Sequence, residues 1–493
     1  MNFFVNEAMG IGNSGVEHAQ FYRAKRFDQA NLDYKFIFMA LVDNLHEAMD
    51  KWNLRDDQVI NIWEYFVYGD DYALHGLKQR TKVKSKNVID STNTLRLENK
   101  VTPAGIRVVR HYVKFPNPKK NPPLLVRIDR IELYDAQTNL RKVAFEFLQD
   151  PHNDQGNQIV NIHLYNQPNG ELFFPNSVQL RRYFFHQIER LYSGKNIFVL
   201  DRGEMNEVAL MDEDMPKPNR KLVEIVHADH LADRDDPKAP FWNNYYEYAL
   251  THMDRIDRMV VATELQRKDL LIDFPDRGKE IVTIPVGGVD DEIKQVKGTP
   301  HKEFKLVTIS RLASEKHIDL IVKAVANLHK QGNKVSLDIY GAGEEDKKLK
   351  ELIEKVQAKK YIKMRGLTHH ADEVYPKYDA FVSASFSEGF GLTYIEALNA
   401  GLPVVTFAAR FGSLELIEDG KNGYLMTFKR EDLDFDVSQL EKGIQKLMDR
   451  DIKEMKEDIF KSVENYRDHV IADKWRKLIN ELWVGKCLTT RNG

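Results

Sequence analysis

Two glutamates and a cluster of glycines mark the segment SEGFGLTYIEALNAGLPVV. Glu388 stands in a loop with Gly389, Phe390 and Gly391, directly after the buried strand AFVSAS. Glu396 follows eight residues later, on a helix expected to begin near Leu392. The glycines let backbone N–H groups approach a phosphate, and a helix N-terminus favours an anion. Carboxylates beside a diphosphate would repel it, so these two must face hydroxyls: Glu396 those of a ribose, Glu388 those of a sugar. Upstream, ISRLASEKHIDLIVKA puts Arg311 at the end of a strand and Lys316 five residues on, just before a helix. Two cations at a strand-end loop suit a diphosphate leaving group, whose negative charge grows as a glycosidic bond breaks.

Other signals are less specific. Gly341 and Gly343 end the strand VSLDIYGAG, where they either line a nucleotide base or simply turn the chain. The loop Gly10 to Gly15, with Gly12 inside it, has the G-x-G-x-x-G spacing between a strand and a helix. No acidic residue closes the second strand at the expected distance, so a dinucleotide site is not expected. Close approach to a sugar-phosphate or an acceptor fits Gly12 and Gly15 better. His227 ends the strand KLVEIV, with Asp229 and His230 nearby. It could hydrogen-bond a transferred sugar. Ligands this close on one irregular segment rarely hold a metal without another from elsewhere, so no metal is expected.

The elements that must position these residues fall into three textures. Residues 1–75 open with a short strand (Phe3 to Val5), the glycine loop and a helix in which Ser14 and Glu17 have capping-box spacing. KFIFMAL and QVINIWEYF read as further buried strands. Residues 76–190 change period. RVVRHYVKF, LLVRIDRIELY, RKVAFEFL and IVNIHLY read as strands, and DAQTN, PHNDQGN and QPNG as turns between them, which predicts an antiparallel β insertion. From residue 191 strands alternate with helices again. Leu320, Ala324 and Leu328 mark one buried helix face; Leu349, Leu352, Ile353 and Val356 mark another. Such alternation implies parallel sheets, which bind ligands at the carboxyl ends of their strands. The fold class is therefore α/β, with two Rossmann-like domains facing a cleft. The expected boundaries are 1–75 with 191–295 for the first domain, 76–190 for the insertion, 296–475 for the second domain and 476–493 for a tail.

Composition excludes several classes. The 493 residues carry a net charge of -3, which gives no global attraction to nucleic acid. The single cysteine, Cys487, fits a reducing compartment. The N-terminus lacks the basic region of a signal peptide, and no apolar run is long enough to span a bilayer. A cytoplasmic location is expected.

Glu388 to Glu396, taken with Arg311 and Lys316, resembles the signature of retaining GT-B glycosyltransferases of family GT4. The β insertion and the segments RFGSLELIEDGKNGYL and VVATELQRKDLL are similar to the teichoic acid α-glycosyltransferases of the TagE and TarM types. The opening GIGNSGVEHAQFYR also resembles the adhesin-modifying Ser/Thr glycosyltransferases of the accessory Sec system. The resemblance implies a hexosyltransferase using a UDP-sugar, with glucose favoured over N-acetylglucosamine. Glu388 would hold the donor sugar, Glu396 the ribose, Arg311 and Lys316 the diphosphate, and His227 the sugar from the other lobe. Gly341, Gly389, Phe390, Gly391 and Leu392 would complete the nucleotide-sugar site, with no cofactor and no metal. The implied acceptor is the polyol-phosphate chain of wall teichoic acid. The alternatives are Ser/Thr of a Ser-rich surface adhesin, or a non-catalytic partner subunit. A homo-oligomer joined through the insertion, a trimer by likeness to similar teichoic acid enzymes, is the implied assembly.

The run LKQRTKVKSK places Lys78, Arg80, Lys82, Lys84 and Lys86 at every second position. If extended, the five cations share one face. Lys114, Lys119, Lys120, Arg181 and Arg182 add to the basic character of the insertion. The expectation is a track for a polyanionic acceptor on Lys82, Lys84 and Lys86; the competing reading is an edge strand guarded by lysines.

Overall fold

The computed structural model describes residues 1–12, 15–82, 86–90, 95–118, 121, 123–149, 158–211, 218–233, 239–292, 303–368 and 370–483. Contacts divide the chain into two compact units. The first holds Met1–Phe21, Leu32–Ile225 and Asn244–Met259; the second holds Tyr22–Asn31, Val226–Asn243 and Val260–Gly493.

The first unit is built on β1 (Asn2–Asn6), β2 (Tyr34–Phe38), β3 (Val59–Asn61), β11 (Asn196–Leu200) and β12 (Arg220–Val226), in the parallel order β12-β11-β1-β2-β3. All five residues of β1 are buried, as a central parallel strand covered on both faces requires. QVINIWEYF does not run on as one strand. Asn61 ends β3, and its side chain accepts from the N–H groups of Trp63 and Glu64, which caps a helix over Ile62–Tyr68.

Between β3 and β11 the chain forms an antiparallel meander of seven strands, paired in sequence order. They are β4 (Lys86–Ile89), β5 (Leu95–Val101), β6 (Ile106–Pro116), β7 (Leu124–Asp135), β8 (Arg141–Phe147), β9 (Ile159–Gln167) and β10 (Gly170–Asn176). The DAQTN turn is held by Asp135, whose carboxylate accepts from the N–H of Gln137 at 2.9 Å. A helix over Ser177–Leu191 follows the meander.

Four short strands follow β12 in the chain: β13 (Leu231–Asp233) and β14 (Phe241–Trp242), which pair with each other antiparallel, and β15 (Arg258–Val261) and β16 (Ile281–Thr283), which extend the first sheet to the seven-stranded order β16-β15-β12-β11-β1-β2-β3. The second unit's sheet contains β17 (Phe304–Ile309), β18 (Val335–Tyr340), β19 (Ile362–Gly366), β20 (Ala380–Val382), β21 (Val404–Phe407) and β22 (Gly423–Met426), all parallel, in the order β19-β18-β17-β20-β21-β22. Its helices bury the faces read from sequence: Leu320, Ala324 and Leu328 on Ile318–Lys330, and Leu349 and Ile353 on Asp346–Lys355. The C-terminal helix Asp468–Glu481 packs on residues 22–31 of the helix that begins at Gly15. Tyr22 donates to Asp468 at 2.7 Å, Arg26 pairs with the same carboxylate, and Phe27 meets Trp475. Ser14, Lys84, Lys119, Lys120 and Cys487 lie outside the described residues. No described helix is long and apolar enough to cross a membrane.

Candidate functional site

The Glu388 loop is fixed by a second loop, not by its own turn. Glu388 N–H donates to the Arg410 carbonyl at 2.8 Å. The Glu388 carbonyl accepts from Phe411 and Gly412 at 2.6 and 2.8 Å. Gly391 takes φ +91 before the helix Leu392–Asn399, a backbone state that favours glycine. Tyr394 on that helix hydrogen-bonds Ser383 at 2.9 Å and Thr406 at 3.0 Å, which ties the helix start to the ends of β20 and β21.

Lys316 and Glu388 are brought together across 72 residues of sequence, with Nζ donating to Oε1 at 2.5 Å. Their side chains are only 20 % and 17 % exposed. A pair this sheltered holds the carboxylate in one orientation and keeps a cation beside it. Arg311 is not drawn into this pair. Its guanidinium is 70 % exposed and bonds Glu315 at 2.6 Å.

Glu396 is half-buried, and desolvation pushes its carboxyl up to about 7; a hydrogen bond from Tyr375 at 3.1 Å opposes that rise and Asp372 adds to it. It sits one helical turn inside the Gly391 N-terminus. Gly341 and Gly343, both at positive φ, bring the end of β18 against the Arg311 loop. A Cβ at Gly341 would meet the Ser310 carbonyl at 1.9 Å, and one at Gly343 the Leu312 carbonyl at 2.3 Å. These glycines therefore serve close backbone approach, whatever else lines that surface.

His227 is placed by Gly389, where a Cβ would meet the His227 carbonyl at 2.8 Å. That approach, and ion pairs from Arg410 to Asp269 at 2.7 Å and Asp229 at 3.6 Å, explain why residues 226–243 group with the second unit, although the sequence reading assigned 191–295 to the first. His230 is fully buried with its ring parallel to Phe411, centroids 5.8 Å apart. No cluster of metal-ligating side chains occurs among the described residues.

The surroundings of three further groups of expected site residues are also defined. The Phe390 ring is core, 4 % exposed and packed near Tyr466. A Cβ at Gly12 or Gly15 would meet nothing within 4 Å, so close packing does not require these glycines; they belong to the first unit's loop, where the Gly10 carbonyl accepts from Trp52. The alternating cations do not form one free face among the described residues. Lys78 pairs with Asp71, Lys86 with Glu98, and Arg80 with Asp50 and Asp56. Lys114 pairs with Asp90, and Arg181 is buried against Glu7 and Asn206. Lys82 is exposed.

The two glycine types can be told apart by substitution. A Cβ at Gly412 would fall 1.8 Å from the Phe390 carbonyl, backbone against backbone. Gly412→Ala should therefore displace the Glu388 loop, costing about 1–3 kcal/mol by the usual penalty for overpacking. Thermal melts should fall and UDP release should drop at least tenfold. Gly12→Ala, with open space, should melt like the parent. Equal melting of both variants would refute the loop clamp.

A family model for glycosyl transferases group 1 matches residues 289–462, the segment holding Lys316, Glu388 and Glu396. The chain is 32 % identical to the UDP-N-acetylglucosamine--peptide N-acetylglucosaminyltransferase GtfA subunit of Streptococcus pneumoniae, over 97 % of this chain and 98 % of that one. It is 22 % identical to the poly(ribitol-phosphate) alpha-N-acetylglucosaminyltransferase of Staphylococcus aureus, over 97 % and 99 %. Among solved structures, that of a GtfA/B complex overlays with a TM-score of 0.73 at 27 % identity, covering 98 % of this chain and 99 % of that one. Two parallel α/β units with an antiparallel sheet in the first, and full-length similarity to these enzymes, make this chain a GT-B glycosyltransferase: it belongs to the group 1 glycosyl transferases.

Proposed function

We propose that the chain transfers N-acetylglucosamine from UDP-N-acetylglucosamine to Ser or Thr hydroxyls of a polypeptide. The observation that carries this reading is the 32 % identity to the pneumococcal peptide transferase subunit along almost the whole chain. It reverses the order of the sequence reading, which put glucose and a polyol-phosphate acceptor first. The acidic partners of Lys78, Arg80, Lys86 and Lys114 support the reversal, because a polyanion would have to displace them. The polyol-phosphate acceptor is the second reading, favoured by the similarity to the ribitol-phosphate enzyme.

In this mechanism the sheltered Lys316 ammonium stabilises the β-phosphate as the glycosidic bond breaks. Glu388, oriented by Lys316, accepts hydrogen bonds from donor-sugar hydroxyls, and Glu396 from the ribose. The His227 side chain contributes a further sugar contact, and Arg311 swings from Glu315 to the diphosphate. With these carboxylates spent on hydroxyls, the acceptor attacks on the leaving-group side and the β-phosphate oxygen takes its proton. The anomeric configuration is retained, no metal or cofactor is needed, and the reaction takes place in the cytoplasm. The chain works as a subunit of a larger assembly, as the GtfA/B complex suggests, with the meander as the joining surface.

The test supplies UDP-glucose or UDP-N-acetylglucosamine, a Ser/Thr-rich peptide or a poly(ribitol-phosphate), and EDTA. An α-linked N-acetylglucosaminyl peptide formed in EDTA is expected. A β-linked product or a divalent-metal requirement overturns the mechanism, and exclusive modification of the polymer overturns the acceptor.

A further inference from the structure

A cavity of about 350 Å³ opens in the first unit, between the parallel sheet and the meander. Its floor is apolar and aromatic. Trp63 lies 4.6 Å from Phe145 between ring centroids, and Ile128, Phe147 and Ile159 add half-buried walls from β7, β8 and β9. Met205, 43 % exposed, stands at the mouth. Glu7 follows β1 and Met39 follows β2, so the cavity lies at the carboxyl ends of two neighbouring parallel strands. Open α/β sheets bind their ligands there. The glycine loop springs from the same strand end.

The polar groups around the cavity limit what it can hold. Arg181 is committed to Glu7 at 3.0 Å and to Asn206 at 2.6 Å. Arg110 is committed to Asp43 at 2.5 Å and also faces Glu98. Each cation is matched by a carboxylate, so neither offers unbalanced charge to a phosphate. The Trp63 indole N–H is also occupied, donating to the Met39 carbonyl at 2.9 Å. Apart from Ser177, what remains is apolar wall, with the partly exposed Glu7 carboxylate at the edge.

The geometry points to an acceptor subsite: the cavity takes one large apolar side chain of the peptide that is to be glycosylated, and so selects which Ser or Thr is presented. This rests on the peptide reading above and sharpens it. Burying a leucine or phenylalanine side chain gives a tenfold to hundredfold gain in affinity, by the usual value of apolar area. A polyol-phosphate unit has no group to spend there.

The experiment compares pairs of synthetic Ser/Thr-rich peptides that differ only by Leu or Ala at one position, which is moved in turn along both sides of the acceptor serine. The full chain is used, with any subunit that co-purifies. At one of these positions the parent should use the Leu peptide with a KM at least tenfold lower than the Ala peptide. Met205→Trp and Ile128→Trp, which fill the mouth and wall, should abolish that preference. Both should keep the parent's melting temperature within a few degrees and its UDP release into water. Equal KM values within every pair in the parent overturn the subsite while leaving the peptide reading intact. So does a Leu preference that survives in both filled variants. Glycosylation of poly(ribitol-phosphate) with no peptide used overturns the peptide reading and the subsite together.

Discussion

Lys316→Ala should slow turnover by about a hundredfold to a thousandfold, the usual loss when one preorganised donor aimed at developing charge is removed. The reason lies in the Lys316–Glu388 pair. At 2.5 Å and with both side chains mostly sheltered, the ammonium serves as a phosphate cation and as the anchor of the carboxylate. Removing it leaves Glu388 as an unpaired, largely buried anion close to where a diphosphate must bind, so donor affinity should fall along with turnover. Glu388→Gln is the control. It keeps Lys316 free to meet phosphate but weakens the grip on sugar hydroxyls, so it should raise KM and lower kcat less steeply. Arg311→Ala should cost less than Lys316→Ala, because its guanidinium must first leave Glu315 and solvent. Initial rates of UDP release over a range of UDP-N-acetylglucosamine settle the order. Parent-like turnover in Lys316→Ala would remove that residue from the site.

The second unit was the more legible half of the sequence because its signals are local. The Glu388 loop, the helix at Leu392 and the apolar faces of the helices around Leu320 and Leu349 all follow from spacing within about a dozen residues. The meander was half legible. Strands β6 to β9 show apolar residues in runs, whereas β4 and β10 are largely exposed and carry no apolar rhythm above their polar surroundings. Their strand state comes from pairing with β5 and β9, a tertiary cause. QVINIWEYF misled because a buried strand and a buried helix look alike in so short an apolar run, and the Asn61 cap decided between them.

The site shows the same division. Residue types at Lys316, Glu388 and Glu396 could be read from their motifs, but the partners that hold them could not. Arg410 reaches Asp269 across 141 positions and Tyr375 reaches Glu396 across 21, and neither pair leaves a spacing signal. The LKQRTKVKSK run shows the converse. Regular spacing suggested a single cationic face, yet Arg80 turns to Asp56 and Asp50 while Lys86 turns to Glu98. Alternation in sequence becomes a face only where the backbone is extended throughout, and Lys78 to Lys82 lie in no strand.

Replacing both Glu207 and Glu224 with glutamine should flatten the fall in stability of the first unit with rising pH. Both carboxyls are about 1 % exposed, and none of their four oxygens has a hydrogen-bond partner among the described residues. Glu224 lies on β12 and Glu207 on the helix Glu204–Met211, with Asp201 and Glu204 adding negative charge nearby. Asp201 itself is held by Gln20 at 2.9 Å. Burial, reinforced by these neighbours, raises both carboxyls above the ordinary glutamate range, so the folded chain holds their protons more tightly than the unfolded chain does. Below roughly pH 4.3, the unfolded glutamate value, both states are protonated and the contribution to stability is complete. As pH rises above that, the unfolded state releases its protons first, and stability declines until the folded carboxyls also ionise. Each tenfold difference in proton affinity is about 1.4 kcal/mol, and each kcal/mol moves the melting temperature by roughly 2–4 °C in a unit of the first one's size. The double variant should therefore gain several degrees on the parent between pH 5 and pH 8. An unpaired buried amide costs about 1–3 kcal/mol at every pH, so the informative quantity is the slope and not the absolute melting temperature. Parallel curves for parent and variant from pH 5 to pH 8 would mean that the two carboxyls are not protonated in the folded chain.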